Sequence, residues 1–105
     1  MTALQITTRE QADGTRIELA GELDIATAPQ LEQALEPLLA QATEDLVLDM
    51  RGVTFLDSSG LRVVLVASRT ATGAGRRLIV DAGDGQVLRV IRLARVEDRL
   101  DLGDA

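Results

Sequence analysis

The chain has 105 residues, of which 46% are hydrophobic and 27% charged, and its formal net charge is −6. That length suits one domain with a hydrophobic core. The chain contains no cysteine, histidine, lysine, tyrosine or tryptophan. Disulfides, thiol nucleophiles, imidazole bases and Schiff-base lysines are therefore excluded.

Charge and hydropathy also bear on partners and location. The acidic balance and the presence of a single aromatic residue, Phe55, argue against direct nucleic-acid binding. The first residues lack the basic and apolar regions of a signal peptide, and the apolar runs are too short to cross a membrane. We therefore expect a cytoplasmic protein without membrane insertion.

The first predicted element is a β-hairpin. Apolar residues alternate with polar ones over 4–8 and again over 16–19, and Asp13-Gly14 supplies a tight turn between them. A helix over 31–42 is predicted next from its apolar spacing. Thr27 and Gln30 have the spacing of a capping box at its start, and Pro37 predicts a kink within it.

Strands and helices then alternate. The short apolar run 46–49 predicts a buried strand that is followed by an apolar loop. The stretch 61–72 is compatible with a strand or a buried helix, 78–80 predicts a strand, and 87–94 predicts an amphipathic helix. Leu100 and Leu102 are expected in a last edge strand. The order ββαβαβα(β) indicates an α/β fold with a largely parallel sheet that the hairpin makes mixed.

The segment Asp57-Ser58-Ser59-Gly60-Leu61 is the first candidate site, because it opens the 61–72 stretch, which can form a helix. The start of a helix has unpaired N–H groups and a partial positive charge, so a hydroxyl there could carry a phosphate. Asp and Ser are also favoured helix caps and need no further function. Both interpretations are compatible with the sequence.

A second candidate is a cluster of the carboxylates of Glu22, Asp24 and Asp57. Such a cluster could serve a small carboxylate-dependent hydrolase or a hard-metal site. The absence of histidine and of aromatic sugar-binding platforms argues against catalysis. We therefore predict that the protein is not an enzyme and has no catalytic residue, metal or cofactor.

Two segments resemble the STAS domains of anti-sigma factor antagonists. Residues 17–24 are similar to the family's L-x-G-E-L-D strand, and residues 46–61 are similar to its signature segment with Asp-Ser-Ser-Gly-Leu. The resemblance covers the whole chain and implies one STAS domain over 1–105, with helices packed against a mixed sheet and a helix over 61–72. Many members have a glycine after the last long helix, where this chain has Ala94-Arg95.

The resemblance implies a regulatory function as an anti-anti-sigma factor. Members like this one bind an anti-sigma factor that is also a GHKL-type serine kinase, and this binding releases the sigma factor. Phosphorylation of the first serine, here Ser58, switches the antagonist off, and a PP2C-type phosphatase resets it. The implied partner-binding residues are Asp24, Asp57, Ser59, Gly60 and Leu61. The alternative is a STAS accessory subunit of a phospholipid-transport ATPase or of a stress-signalling complex.

Overall fold

A five-stranded mixed sheet forms the centre of the computed structural model, which describes residues 3–12, 14–41 and 44–103. The strands lie side by side in chain order. The elements are β1 (Gln5–Gln11), β2 (Gly14–Leu23), α1 (Ala28–Gln41), β3 (Asp45–Leu56), α2 (Ser58–Gly73), β4 (Leu78–Asp81), α3 (Gln86–Ala94) and β5 (Asp101–Leu102), with a 3₁₀ turn (Glu97–Arg99) before β5. The predicted element order and the mixed sheet are confirmed, and 61–72 is helical.

The hairpin of β1 and β2 is antiparallel, with Gln11 paired with Gly14. Gly14 has φ +151°, and a Cβ placed there would lie 2.3 Å from the Asp45 carbonyl oxygen. Only glycine accommodates that approach, so it lets β2 pair with β3 from its first residue. Asp13 of the predicted turn lies outside the described residues.

The remaining strand pairs are parallel: β2 with β3, β3 with β4, and β4 with β5. Right-handed crossovers between strands in this order place all three helices on one face of the sheet. One hydrophobic core accordingly contains side chains from each helix and from alternate positions of the strands. Its members include Ile17, Leu19, Leu31, Leu35, Leu46, Leu48, Leu61, Val64, Leu78, Val80, Val87 and Ile91. Among the residues that the structure describes, no helix combines the length and apolar composition needed to cross a membrane.

Strand β3 is much longer than the predicted strand 46–49, and the prediction of an apolar loop after residue 49 is wrong. The strand continues to Leu56 and pairs with β2 as far as Leu23, with two register shifts. Gly52 allows β3 to lie close to β2, since a Cβ at this position would lie 2.7 Å from the Leu19 carbonyl oxygen. The register shifts interrupt the alternation of buried and exposed residues, which is why the pattern did not indicate a strand.

Helix α1 continues through Pro37, and its start differs from the prediction. Pro37 and Gln33, whose carbonyl loses its partner to the proline, are both exposed, so water can satisfy that group. The predicted capping box is wrong. The Gln30 side chain instead donates to the Leu4 carbonyl at 2.8 Å, and the Thr27 hydroxyl donates to the Glu22 carbonyl at 2.8 Å.

The face of the sheet opposite the helices carries a network of ion pairs in which Arg16, Asp49 and Asp81 are buried and Arg51 is exposed. The Arg16 guanidinium lies 2.9 Å from Asp49 and 3.5 Å from Asp81, and Arg51 contacts the same two carboxylates at 2.8 and 3.4 Å. The hydrogen bonds from Arg51 hold the pKa of Asp49 well below its usual range, against the opposing effect of burial. Three neighbouring strands are thus linked by charge on the face that the core does not use.

Helix α3 ends at Ala94, and the next residue, Arg95, is its C-cap. Arg95 has φ 58° and ψ 44°, and its N–H donates to the Arg92 carbonyl at 3.1 Å. Arg95 is the one described non-glycine residue with a positive φ. Arg95 therefore adopts the left-handed conformation at this cap, although glycine adopts that conformation most easily.

Candidate functional site

The segment 57–60 joins the carboxyl end of β3 to the start of α2. Asp57 is the N-cap of α2, and its Oδ1 accepts hydrogen bonds from the N–H groups of Ser59 and Gly60 at 2.9 and 3.1 Å. The Asp57 N–H donates to the Leu23 carbonyl at 3.2 Å, which ties the cap to the end of β2. The capping function considered from the sequence is therefore present.

Asp57 also holds a second loop in place. Its Oδ2 accepts a hydrogen bond from the Ile25 N–H at 3.2 Å, so the β2–α1 loop lies against the start of α2. These two segments are more than 30 residues apart in the sequence. One carboxylate therefore fixes the relative position of both loops at this end of the sheet.

Asp24 organises the β2–α1 loop from within. Its Oδ1 accepts hydrogen bonds from the Ala26 and Thr27 N–H groups at 2.9 and 3.1 Å, and the Thr27 hydroxyl lies 3.2 Å away. Such local bonds from an aspartate to the amides that follow it stabilise tight turns. Asp24 is half-buried, so this turn carries a carboxylate beside the Asp57 cap.

Ser58 is the exposed residue of the predicted site, and it is the first residue of α2. Within the described part of the chain, its hydroxyl has no hydrogen-bond partner. Ser59 is half-buried, whereas Leu61 is buried in the core. Helix α2 therefore presents the first serine to solvent and turns the leucine inward.

Gly60 is buried at the contact between α2 and the ends of β2 and β3. A Cβ there would lie 2.5 Å from Leu23 Cγ, 2.8 Å from the Leu23 carbonyl oxygen and 3.0 Å from Leu56 Cδ1. Real Cβ atoms essentially never approach other atoms within 3.0 Å. The glycine therefore sets how closely the start of α2, and with it Ser58, approaches the sheet.

Two exposed apolar side chains flank these loops, and neither is among the site residues predicted from the sequence. Ile25 is 76% exposed in the loop bonded to Asp57, and Phe55 is 42% exposed two residues before Asp57. An exposed isoleucine between Asp24 and Ala26 is a signal that the sequence offered, since the rest of that turn is small or polar. We call Ile25, Phe55, Ser58 and Ser59, with Asp24 and Asp57, the serine surface.

The three acids of the candidate carboxylate cluster do not form a metal site. Within the described ranges, no three acidic side chains come together as potential metal ligands. Asp24 and Asp57 instead accept hydrogen bonds from backbone N–H groups. These bonds give both aspartates a structural role, because they stabilise the loops, and the geometry of the two side chains does not favour a hydrolase.

Comparison with known proteins agrees with this fold. The family model described as "Mlab, STAS domain" matches residues 6–103. An anti-sigma factor antagonist from Mycobacterium paratuberculosis superposes with a TM-score of 0.82 at 25% identity, covering 98% of this chain and 87% of the other. No sequence among curated proteins matches.

Two structures of SpoIIAA share the fold at lower identity. The unphosphorylated anti-sigma factor antagonist has a TM-score of 0.72 at 22% identity, with 98% of this chain and 89% of that chain covered. The phosphorylated form of the Bacillus cell fate determinant has a TM-score of 0.70 at 20% identity, with 97% and 92% covered. These structural matches do not favour the alternative of a transport accessory subunit.

Proposed function

Because this chain belongs to the STAS domain family, with the family model spanning residues 6–103, we propose that it is an anti-sigma factor antagonist. It binds an anti-sigma factor and thereby releases a sigma factor, and it acts by docking rather than by catalysis. The similarity to the mycobacterial antagonist over 98% of the chain supports this function. So does the absence of histidine, cysteine and lysine, since a docking protein needs no catalytic side chain.

The docking surface in this proposal is the serine surface. Ile25 and Phe55 supply exposed apolar area, and the hydroxyls of Ser58 and Ser59 supply polar contacts. Protein interfaces combine such apolar anchors with a polar rim. Gly60 and Leu61 contribute by positioning α2 beneath the surface, because both are buried.

The exposed Ser58 hydroxyl, without a hydrogen-bond partner among the described residues, is the observation that carries the regulatory half of the proposal. Its oxygen takes the γ-phosphoryl group of ATP on a GHKL-type kinase, which is the anti-sigma factor itself. ADP leaves, and the hydroxyl proton passes to a base of the kinase. A PP2C-type phosphatase in the cytoplasm returns the serine by hydrolysing the phosphate ester.

Phosphorylation switches the docking surface off through charge. A phosphoserine carries about −1.5 to −2 charges at pH 7, and the N-terminus of α2 tolerates an anion. The fold therefore changes little. The partner, however, must desolvate a dianion beside Asp57 and near Asp24. A loss of ~3 kcal/mol there weakens binding more than a hundredfold.

Incubation with candidate anti-sigma factor kinases and ATP, followed by peptide mass mapping, tests this function. We expect one phosphate on Ser58, its loss in Ser58→Ala, and its retention in the matched control Ser59→Ala. Calorimetric titration is expected to show binding to the unmodified protein, at least hundredfold weaker binding to the phosphorylated protein, and a smaller loss for Ser58→Asp, which adds a single charge. Undiminished binding of the phosphorylated protein would contradict the switch.

A further inference from the structure

Arg62 lies on α2 four residues after Ser58 and is exposed. It makes no ion pair or side-chain hydrogen bond with any residue in the described ranges. Three arginines of the strands, and Arg77 just before β4, differ because they pair with carboxylates: Arg9, Arg16, Arg51 and Arg77. Arg62 is thus one of several arginines that no described acid contacts, and it is the one nearest to Ser58 along α2.

Helix geometry directs Arg62 toward Ser58. Residues four apart lie on the same side of a helix, and long side chains point back toward its N-terminus. This spacing therefore allows the guanidinium of Arg62 to reach the first turn of α2, where the Ser58 hydroxyl is exposed. A cation close to a helix N-terminus opposes the helix dipole, so Arg62 gains nothing there from the unmodified helix.

We propose that Arg62 binds the phosphate of phosphorylated Ser58 through an ion pair within α2. This inference rests on the proposed phosphorylation of Ser58 and adds a residue that binds the resulting phosphate. A guanidinium presents parallel N–H donors that match two phosphate oxygens, which makes arginine the best phosphate partner among side chains. The pair spans one helical turn and requires no movement of the backbone.

The other charged side chains that we identify near the start of α2, among the residues that the structure describes, are acidic and cannot replace Arg62. Asp57 caps the helix, Asp24 and Glu22 belong to the adjoining end of β2 and its loop, and Glu32 of α1 lines the groove along α2. All four carboxylates repel a phosphate dianion. The other arginine of α2 is Arg69, almost two turns further along.

Pairing with Arg62 has two consequences for the switch. It favours the dianionic phosphate, so the phosphate's second pKa falls from its usual value of about 6 and the full charge is present at neutral pH. It also occupies phosphate oxygens that a phosphatase must contact. Arg62 therefore prolongs the phosphorylated state while the fold stays unchanged.

Titration of the phosphate by ³¹P NMR tests the inference. Phosphoserine is installed chemically or by an expanded genetic code at position 58, in the wild-type chain and in the variants Arg62→Gln and Arg69→Gln. At low ionic strength we expect Arg62→Gln to raise the second pKa by about 0.3 unit, and Arg69→Gln to leave it unchanged. In about 1 M salt, where screening acts within about 3 Å, the difference is expected to vanish.

Equal phosphate pKa values in the wild type and Arg62→Gln at low salt would overturn the inference, as would an equal rise in Arg69→Gln. Both arginines are exposed, and circular dichroism verifies that the variants remain folded. Because the phosphoserine is installed without a kinase, this outcome is independent of the proposed function. Failure of every candidate kinase to modify Ser58 would contradict the proposed function, but it would not change the measured phosphate pKa values.

Discussion

Replacement of Gly60 by alanine tests whether the close contact of α2 with β2 positions the serine surface. The new Cβ would overlap Leu23 Cγ at 2.5 Å and the Leu23 carbonyl oxygen at 2.8 Å. Leu23 has no exposed surface, so its side chain has nowhere to move. Its carbonyl is backbone and already accepts the Asp57 N–H. The start of α2 must therefore shift away from the sheet.

The size of the effect follows from two opposing terms. Overpacking of a tight core site costs about 1–3 kcal/mol, and here a hydrogen bond of the N-cap lengthens as well. Alanine gains up to about 1 kcal/mol over glycine within a helix. We expect a net loss of about 2 kcal/mol in the free energy of unfolding, which corresponds to a fall of roughly 10 °C in Tm.

Gly73 at the end of the same helix is the matched control. A Cβ there would meet no atom within 4 Å, so Gly73→Ala has no overpacking cost and keeps only the gain of alanine over glycine within a helix. We expect it to gain about 0.5 kcal/mol. Urea unfolding followed by far-UV circular dichroism measures both variants, since the chain has no tryptophan or tyrosine for fluorescence.

The outcome bears on the site as well as on stability. A Gly60→Ala variant that folds is expected to accept phosphate on Ser58 more slowly, because the serine moves with the start of α2. Wild-type stability in Gly60→Ala, or an equal loss in Gly73→Ala, would refute the role of the α2–β2 contact.

Three further variants probe other features. Arg95→Gly should relieve the left-handed cap of α3 and raise stability by about 0.5–1 kcal/mol in urea unfolding; a loss would contradict the strain. Asp49→Asn should lose about 2–3 kcal/mol above pH 5, and less below about pH 4. The pKa of Asp49 is lowered in the folded protein, so its stabilising effect is full above the unfolded-state pKa of about 4 and is lost progressively at lower pH. A pH-independent loss would exclude this carboxylate as the cause. Ile25→Ala should weaken kinase binding about tenfold by calorimetry, whereas Leu93→Ala, equally exposed on α3, should not.

Much of the fold could be predicted because it depends on neighbours in the sequence. Alternation in 4–8 and 16–19 indicates the hairpin, and helical spacing indicates α1 and α3. The start of α2 follows from the caps in 57–60. The residues of 61–72 alone are compatible with two states, because the valines favour a strand whereas the length and apolar spacing allow a buried helix. The family resemblance is what implies the helix.

The errors share a long-range cause. The extension of β3 beyond residue 49 depends on pairing with β2, some 30 residues away, and on Gly52 at the Leu19 carbonyl. Gln30 has the right spacing for a capping box, yet its amide bonds the Leu4 carbonyl that β1 brings within reach. In each case, contacts with residues distant in the sequence override the structure that the local pattern predicts.

The candidate site divides in the same way. The order of residues is enough to show that a serine follows a helix-capping aspartate, and that no histidine, cysteine or lysine is available for catalysis. The fold is needed to show that Asp57 also holds the Ile25 loop, that Ile25 and Phe55 are exposed, and that Gly60 and Leu61 are buried. Caps act over two or three residues, so composition and spacing reveal them. Exposure and bonds between loops depend on how distant strands bring their ends together, which no local pattern encodes.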